Sequence, residues 1–217
     1  MKKLVIFDLD GTLLNTIADL GASCNYALES MGMPTHPIQT YNYMVGNGVR
    51  RLLERAQPDA DASTVDELLV RFRSHYDEHN CDATTPYPGI HKLLLELHKL
   101  DVAIAVATNK YQSAAERIIG HFFPEIPFVG VFGQTDTRPV KPDPSVIFDI
   151  LTAHPTPKAE VLMVGDSAVD IETAKRACVA NAGVTWGFRP VSELRRAFAD
   201  NIVSRPTEII NLLQIPL

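Results

Sequence analysis

The chain has 217 residues and a mass of 23.9 kDa, enough for one α/β domain of ordinary size with a small insertion. Hydrophobic residues make up 46% and charged residues 21%, which excludes a disordered protein. The formal charge of −6 weighs against nucleic acid or an anionic membrane as the main partner. Small phosphorylated substrates are still allowed, because a local lysine and a metal can override the global sign.

In chain order, Leu4 to Phe7 is a continuous apolar run, as expected of a strand covered on both faces. The region from Ile17 to Ala83 then reads as helices only: Ile17 to Met31, Gly48 to Ala56, and Val65 to His79, with breaks at Pro34, Pro37 and Pro58. Beyond a proline-rich hinge, Thr85-Pro86-Tyr87-Pro88-Gly89, strand and helix patterns alternate. Strands are expected at Val102–Ala107, Val129–Val131, Val161–Val164, Ala182–Val184 and Ile202–Val203. Helices are expected at Ile90–Leu100, Ser113–Ile119, Ser145–Leu151, Ala168–Ala177 and Ser192–Ala199. The alternation predicts a parallel sheet with helices on both faces. Its interruption after the first strand predicts an inserted helical cap over residues 17–83, with the core formed by residues 1–16 and 84–217.

Cys24, Cys81 and Cys178 are far apart and show no CxxC spacing, so neither a zinc site nor a disulfide scaffold is indicated, and buried free thiols are expected. Two N-terminal lysines precede an apolar run that Asp8 stops after four residues, too short for a signal-peptide core. No run approaches transmembrane length, and a cytoplasmic location is expected. His75 and His79 stand at i, i+4, a spacing zinc can use, but without a further ligand at suitable helical spacing they are expected to be a surface pair.

Four segments at the ends of strand-like runs carry the chemistry, which is where open parallel sheets place their ligands. Asp8-Leu9-Asp10-Gly11-Thr12 supplies a carboxylate pair that can bind a hard cation or divide nucleophilic and acid/base roles. Thr108-Asn109 ends the second long strand and opens a turn into a helix, where a hydroxyl and helix-start amides could hold phosphate oxygens. Lys141 sits in a loop stiffened by Pro139, Pro142 and Pro144, where it could neutralise a nucleophile and a phosphate together. Asp166 and Asp170 lie together where the strand ending at Val164 passes into a helix, a pairing that is costly without a cation. Each has a plain alternative on its own: a capped turn, an N-cap threonine, a solvated loop lysine, and helix capping by Asp166 with Asp170 favouring the dipole. In the inserted region, Gly46, Asn47 and Gly48 could present amides to a distal carboxylate with Arg50 or Arg51 nearby, or be only a flexible turn. Trp186 is accounted for by packing.

Taken together, DxDGT, Thr108, Lys141 and GDxxxD, in this order and with a helical insertion after the first, resemble the haloacid dehalogenase superfamily of phosphohydrolases over nearly the whole chain. The resemblance implies an α/β fold with a Rossmann-like parallel core and a mobile cap. It implies one Mg2+ ion held by Asp8, the Asp10 carbonyl and Asp166, with Asp170 in support. Asp8 would attack phosphorus and Asp10 would serve as acid and then base, with Thr108 and Lys141 holding the phosphoryl group; Asn109 beside them, and Gly46, Asn47 and Arg50 in the insertion, are the further substrate-binding candidates. The likeness is greatest to phosphoglycolate phosphatases, through Phe7 to Leu13, Val45 to Gly48, Pro86 to Gly89, Ala107 to Lys110 and Trp186 to Phe188. Asn15 departs from it, standing where these relatives often have Asp. The expected partner is a small phosphorylated metabolite, and the expected assembly a monomer or homodimer. A sugar phosphomutase, a pyrophosphatase and a non-catalytic binding protein are the alternatives.

Overall fold

A computed structural model describes residues 1–214. The chain runs β1 (Leu4–Phe7), β2 (Leu14–Asn15), α1 (Ile17–Glu29), a 3-10 turn (Ile38–Tyr43), α2 (Val49–Ala56), α3 (Ala62–His79), β3 (Thr85–Pro86) and α4 (Ile90–Lys99). It continues through β4 (Ala103–Tyr111), α5 (Gln112–Phe122), β5 (Phe128–Gln134), α6 (Ser145–Ala153), a 3-10 turn (Lys158–Glu160), β6 (Val161–Gly165) and α7 (Ala168–Ala177). The last elements are β7 (Ala180–Val184), α8 (Val191–Arg196), β8 (Asn201–Val203) and α9 (Glu208–Leu212).

Six strands form one sheet in the order β5-β4-β1-β6-β7-β8, parallel throughout. The unbroken apolar run of β1 follows from burial on both faces. Val5 and Phe7 join the core packed under α4 and α5, while Leu4 and Ile6 join the cluster under α6 and α7. Phe7 pairs with Val106 on one side and with Val164 on the other. That register brings the segments following β1 and β6, and the far part of β4, to the same sheet edge.

The stretch between β2 and β3 is helical. In α3, the Asp61 carboxylate caps the N-terminus by accepting from Thr64 N at 2.8 Å, and Val65, Leu68, Phe72 and Tyr76 form its buried stripe. This stripe packs on α1 through Leu20, Cys24, Ala27 and Leu28. The two chain crossings that enter and leave the helical region are tied together. Leu14–Asn15 pairs antiparallel with Thr85–Pro86, and the buried Asp19 carboxylate accepts from Ala83 N, Thr84 N and Thr84 Oγ1 at 2.7–3.1 Å.

The structure differs from expectation in a few places. β4 runs on to Tyr111, so Thr108 lies inside an extended strand and does not cap a helix. Cys24 is buried, but Cys81 is only half-buried and Cys178, the left-handed residue that ends α7 (φ 58°), is exposed. α8 ends at Arg196, where the chain turns through a left-handed Phe198. His75 and His79 spend their Nδ1 atoms on Ser23 (2.9 Å) and Asp82 (2.8 Å), and no metal-competent cluster among the described residues includes them. No helix is long and apolar enough to cross a membrane among the described residues.

Asp19→Ala removes the side-chain acceptor that joins the two crossings and strands buried donors of Ala83 and Thr84, each costing about 1–3 kcal/mol. Urea denaturation should show a loss of about 2–4 kcal/mol. A loss below about 0.5 kcal/mol would mean that the crossings do not depend on this carboxylate.

Candidate active site

Lys141 Nζ occupies the centre of the site. It lies 2.9 Å from Asp8 Oδ1 and 2.6 Å from Asp170 Oδ1, and it donates to the Ala107 carbonyl at 2.9 Å. All three ammonium protons therefore have acceptors, one on each of three neighbouring segments. Burial opposes the charge on Lys141, but Asp170 and Asp8 outweigh it and hold the ammonium above its ordinary range. The Lys141 backbone is fixed by Asn109, whose Oδ1 accepts from Lys141 N at 2.8 Å and whose Nδ2 donates to the Lys141 carbonyl at 3.0 Å. The following Lys141–Pro142 peptide is cis.

The acids differ in how far they are already satisfied. Both oxygens of Asp170 are taken: Oδ1 by Lys141, and Oδ2 by Ser167 N (3.1 Å) and Ser167 Oγ (2.7 Å). Ser167, the residue before α7, is thus the helix cap, not Asp166. Asp166 accepts only from Phe188 N, at 2.7 Å through Oδ2, among the described residues. Burial, then the charges of Asp170 and Asp8, push Asp166 well above the usual carboxylate range. Burial likewise raises Asp8 to about 7, with Lys141 pulling it down and Asp170 and Asp10 adding to the rise. Gly11 is required here: its φ is +84°, and a Cβ would lie 2.4 Å from Asp166 Oδ2.

Asp8, Asp166 and Asp170 each offer an oxygen within 4.8 Å of the others, all three residues buried. When ionised, the three carboxylates and Lys141 leave two uncompensated negative charges in a buried site. A divalent cation supplies that balance, and an all-oxygen donor set suits a hard ion. The residues present therefore fit such an ion. Asp8 and Asp166 have oxygens to spare, and Asp170 supports them from behind. The Asp10 side chain lies outside this cluster.

Asp10 makes a separate set of contacts. Its Oδ1 accepts from Thr16 Oγ1 at 2.7 Å and lies 3.0 Å from Lys110 Nζ, which also donates to Tyr76 OH on α3 at 2.8 Å. Asp8, Asp10, Thr108, Asn109 and Asp166 line one cavity, together with Gly46, Gly48, Lys110, Phe188 and Arg189. Leu20, Val45, Val49 and Leu52 of the helical insertion close its apolar side. Gly46 is held across the cavity mouth by Asn109 Nδ2, which donates to its carbonyl at 2.9 Å.

Two of the expected substrate contacts have side chains engaged elsewhere. Arg50 is exposed and pairs with Asp66 on the outside of the insertion. The Asn47 side chain is engaged by Arg55, its Oδ1 accepting from Nη2 at 2.7 Å, and Asn47 does not line the cavity. Lys110 and Arg189 are the residues that sequence reasoning passed over. The available signal for Lys110 was a run of three polar residues, Thr108 to Lys110, closing an apolar strand. Their common access to the cavity coincides with a register shift between Ala107 and Tyr111 in the pairing of β4 with β5.

A family model described as haloacid dehalogenase-like hydrolase matches residues 5–184. The chain belongs to this family. Among curated relatives, a phosphoglycolate phosphatase of Pseudomonas syringae pv. tomato is 33% identical over 207 residues, covering 89% of this chain and 74% of its own. One from Mesorhizobium japonicum is 31% identical over 191 residues, covering 86% and 84%. A solved structure from Lactobacillus delbrueckii subsp. bulgaricus, provisionally named a phosphoglycolate phosphatase, superposes with a TM-score of 0.92 at 28% identity over 98% of this chain and 99% of that one. The six-stranded parallel sheet with flanking helices is the fold of this hydrolase family.

Without a cation, the raised acids hold protons in the folded state that the unfolded chain, with ordinary carboxyls, has released. The cation-free protein therefore loses stability as pH rises from about 4 to about 7, and a cation must displace those protons to bind. Calorimetric titration with magnesium should give a Kd about tenfold tighter or more at pH 8 than at pH 6. A Kd independent of pH would show that these carboxyls do not receive the ion.

Proposed function

We propose that the protein is a magnesium-dependent phosphatase of small phosphomonoesters, with 2-phosphoglycolate as first substrate, acting through a phosphorylated Asp8. The observation that carries this reading is the placement of Asp8 at the β1 edge, 2.9 Å from Lys141 and sharing one cavity with Thr108, Asp10 and Asp166. The names of the curated relatives support the substrate.

In the first step an Asp8 carboxylate oxygen attacks phosphorus, the ester P–O bond breaks, and protonated Asp10 gives its proton to the departing alkoxide. In the second, Asp10 takes a proton from water, whose oxygen attacks phosphorus as the bond to Asp8 breaks. Inorganic phosphate leaves and Asp10 is again protonated. Lys141 reduces the repulsion between Asp8 and the incoming phosphate, and Thr108 offers its hydroxyl to a phosphoryl oxygen. Thr16 and Lys110 fix Asp10 by the same oxygen, leaving the other to handle the proton. Magnesium, held by Asp8, Asp166 and the Asp10 carbonyl with Asp170 behind, would supply positive charge against the phosphoryl oxygens. The helical insertion, residues 17–83, acts as the cap, and its apolar residues exclude water from the cavity.

Phosphate release from a panel of phosphomonoesters and pyrophosphate tests this reading. Magnesium-dependent turnover greatest on 2-phosphoglycolate is expected, with Asp8→Asn reducing it about a thousandfold or more. Undiminished turnover by D8N would remove Asp8 as nucleophile. Turnover of a sugar phosphate only when a sugar bisphosphate is added would instead assign a mutase.

A further inference from the structure

Two cations line the cavity, and they differ in how their charge is spent. Lys110 is matched to Asp10 at 3.0 Å. Arg189, on the loop between β7 and α8, has no comparable partner. Its nearest carboxylate is Glu193 at 4.0 Å, and Glu193 also accepts from Ala168 N at 3.0 Å. Arg189 Nη2 donates instead to a neutral acceptor, the Val45 carbonyl, at 2.9 Å. The Arg189 side chain is only 14% exposed, and its Nη1 has no hydrogen-bond partner among the described residues. A guanidinium so enclosed, with donors unspent and neither of its counter-charges, Glu193 and Asp166, in direct hydrogen-bond contact, is a receptor for a planar or tetrahedral anion.

Its surroundings reinforce this. Arg189 stands over the Tyr43 ring at 5.9 Å, and Arg55 donates to Met44 O and Asn47 Oδ1, both at 2.7 Å. Two guanidiniums therefore meet the same loop, Tyr43 to Asn47, on the insertion side of the cavity. Partial burial first, and then the charge of Arg189, hold Arg55 below its ordinary value, as two neighbouring cations require. The apolar side chains of Val45 and Phe188 line the same cavity as this corner and the acids Asp8 and Asp166. A phosphate seated at Asp8 would thus share its cavity with hydrocarbon and with the Arg189 cation.

We propose that Arg189 is the specificity residue of the site, binding a second anionic group, such as a carboxylate, on the part of the phosphomonoester that is not transferred. The proposal rests on the phosphatase reading above and takes over the role that the sequence offered to Arg50. Arg189 acts on which substrate is held and leaves the bond-making groups to the β1 edge.

The test compares kcat/KM for 2-phosphoglycolate with that for ethyl phosphate, which has no second anion, in the wild type, Arg189→Met and Arg189→Lys. The wild type should prefer 2-phosphoglycolate, R189M should lower that preference at least about tenfold through KM, and R189K, which keeps the charge without the fork, should fall between. Equal losses on both substrates would overturn the proposal, because Arg189 would then only be holding the Val45 loop. A wild type without preference would overturn it as well. If R189M loses its thermal transition, R189K decides alone, with a fall of about threefold or more in the preference expected. Absence of any phosphate release by the wild type would remove the phosphatase reading and this proposal together, whereas turnover with an unmoved preference removes only this one.

Discussion

One buried ammonium makes the rest of the site possible. Lys141 Nζ, with 3% of its side chain exposed, joins Asp8 after β1, Asp170 on α7 and a carbonyl of β4. At an effective dielectric near 20, each such contact between unit charges is worth about 6 kcal/mol before desolvation is subtracted. Loss of one partner from a buried pair typically costs about 3–5 kcal/mol, because the other charge remains in place uncompensated. The parallel sheet places its carboxyl-end residues side by side, and this ammonium lets acids at that edge coexist. It does not balance them all. The remaining negative charge leaves the site dependent on protons or on a cation, and that links the fold to its chemistry.

Asn109 shows how closely the scaffold and the mouth of the cavity are joined. One amide fixes both polar groups of the Lys141 backbone and also reaches the Gly46 carbonyl on the helical insertion. Arg189 makes the corresponding contact to Val45 from the other side. The insertion loop is therefore held by groups that belong to, or adjoin, the catalytic edge. Asn109 and Arg189 thus anchor neighbouring carbonyls of that loop, Gly46 and Val45.

Much of this was legible in the sequence. Continuous apolar runs identified β1 and β6 because their burial on both faces leaves no alternation to mislead. The motif residues follow those runs directly, so Asp8, Asp166 and Asp170 were placed by their position alone. What was not legible depends on side-chain direction. Arg50 and Arg189 are equally good candidates on paper, and only the packing of α2 turns Arg50 outward to Asp66. Lys110 was hidden because β4 continues past its apolar run to Tyr111, with an irregular register that periodicity does not reveal. Ser167 as cap could have been read from its position three residues before Asp170, a capping-box spacing, but the functional reading of Asp166 obscured it.

The central claim is that Asp8 becomes covalently phosphorylated. The direct measurement is acid quenching during turnover of 2-phosphoglycolate with magnesium, followed by borohydride reduction, which converts an aspartyl phosphate to homoserine, and peptide mass spectrometry. The account predicts homoserine at position 8, dependent on both substrate and metal. Reduction at another carboxylate, or none in the wild type under conditions of steady turnover, would contradict it.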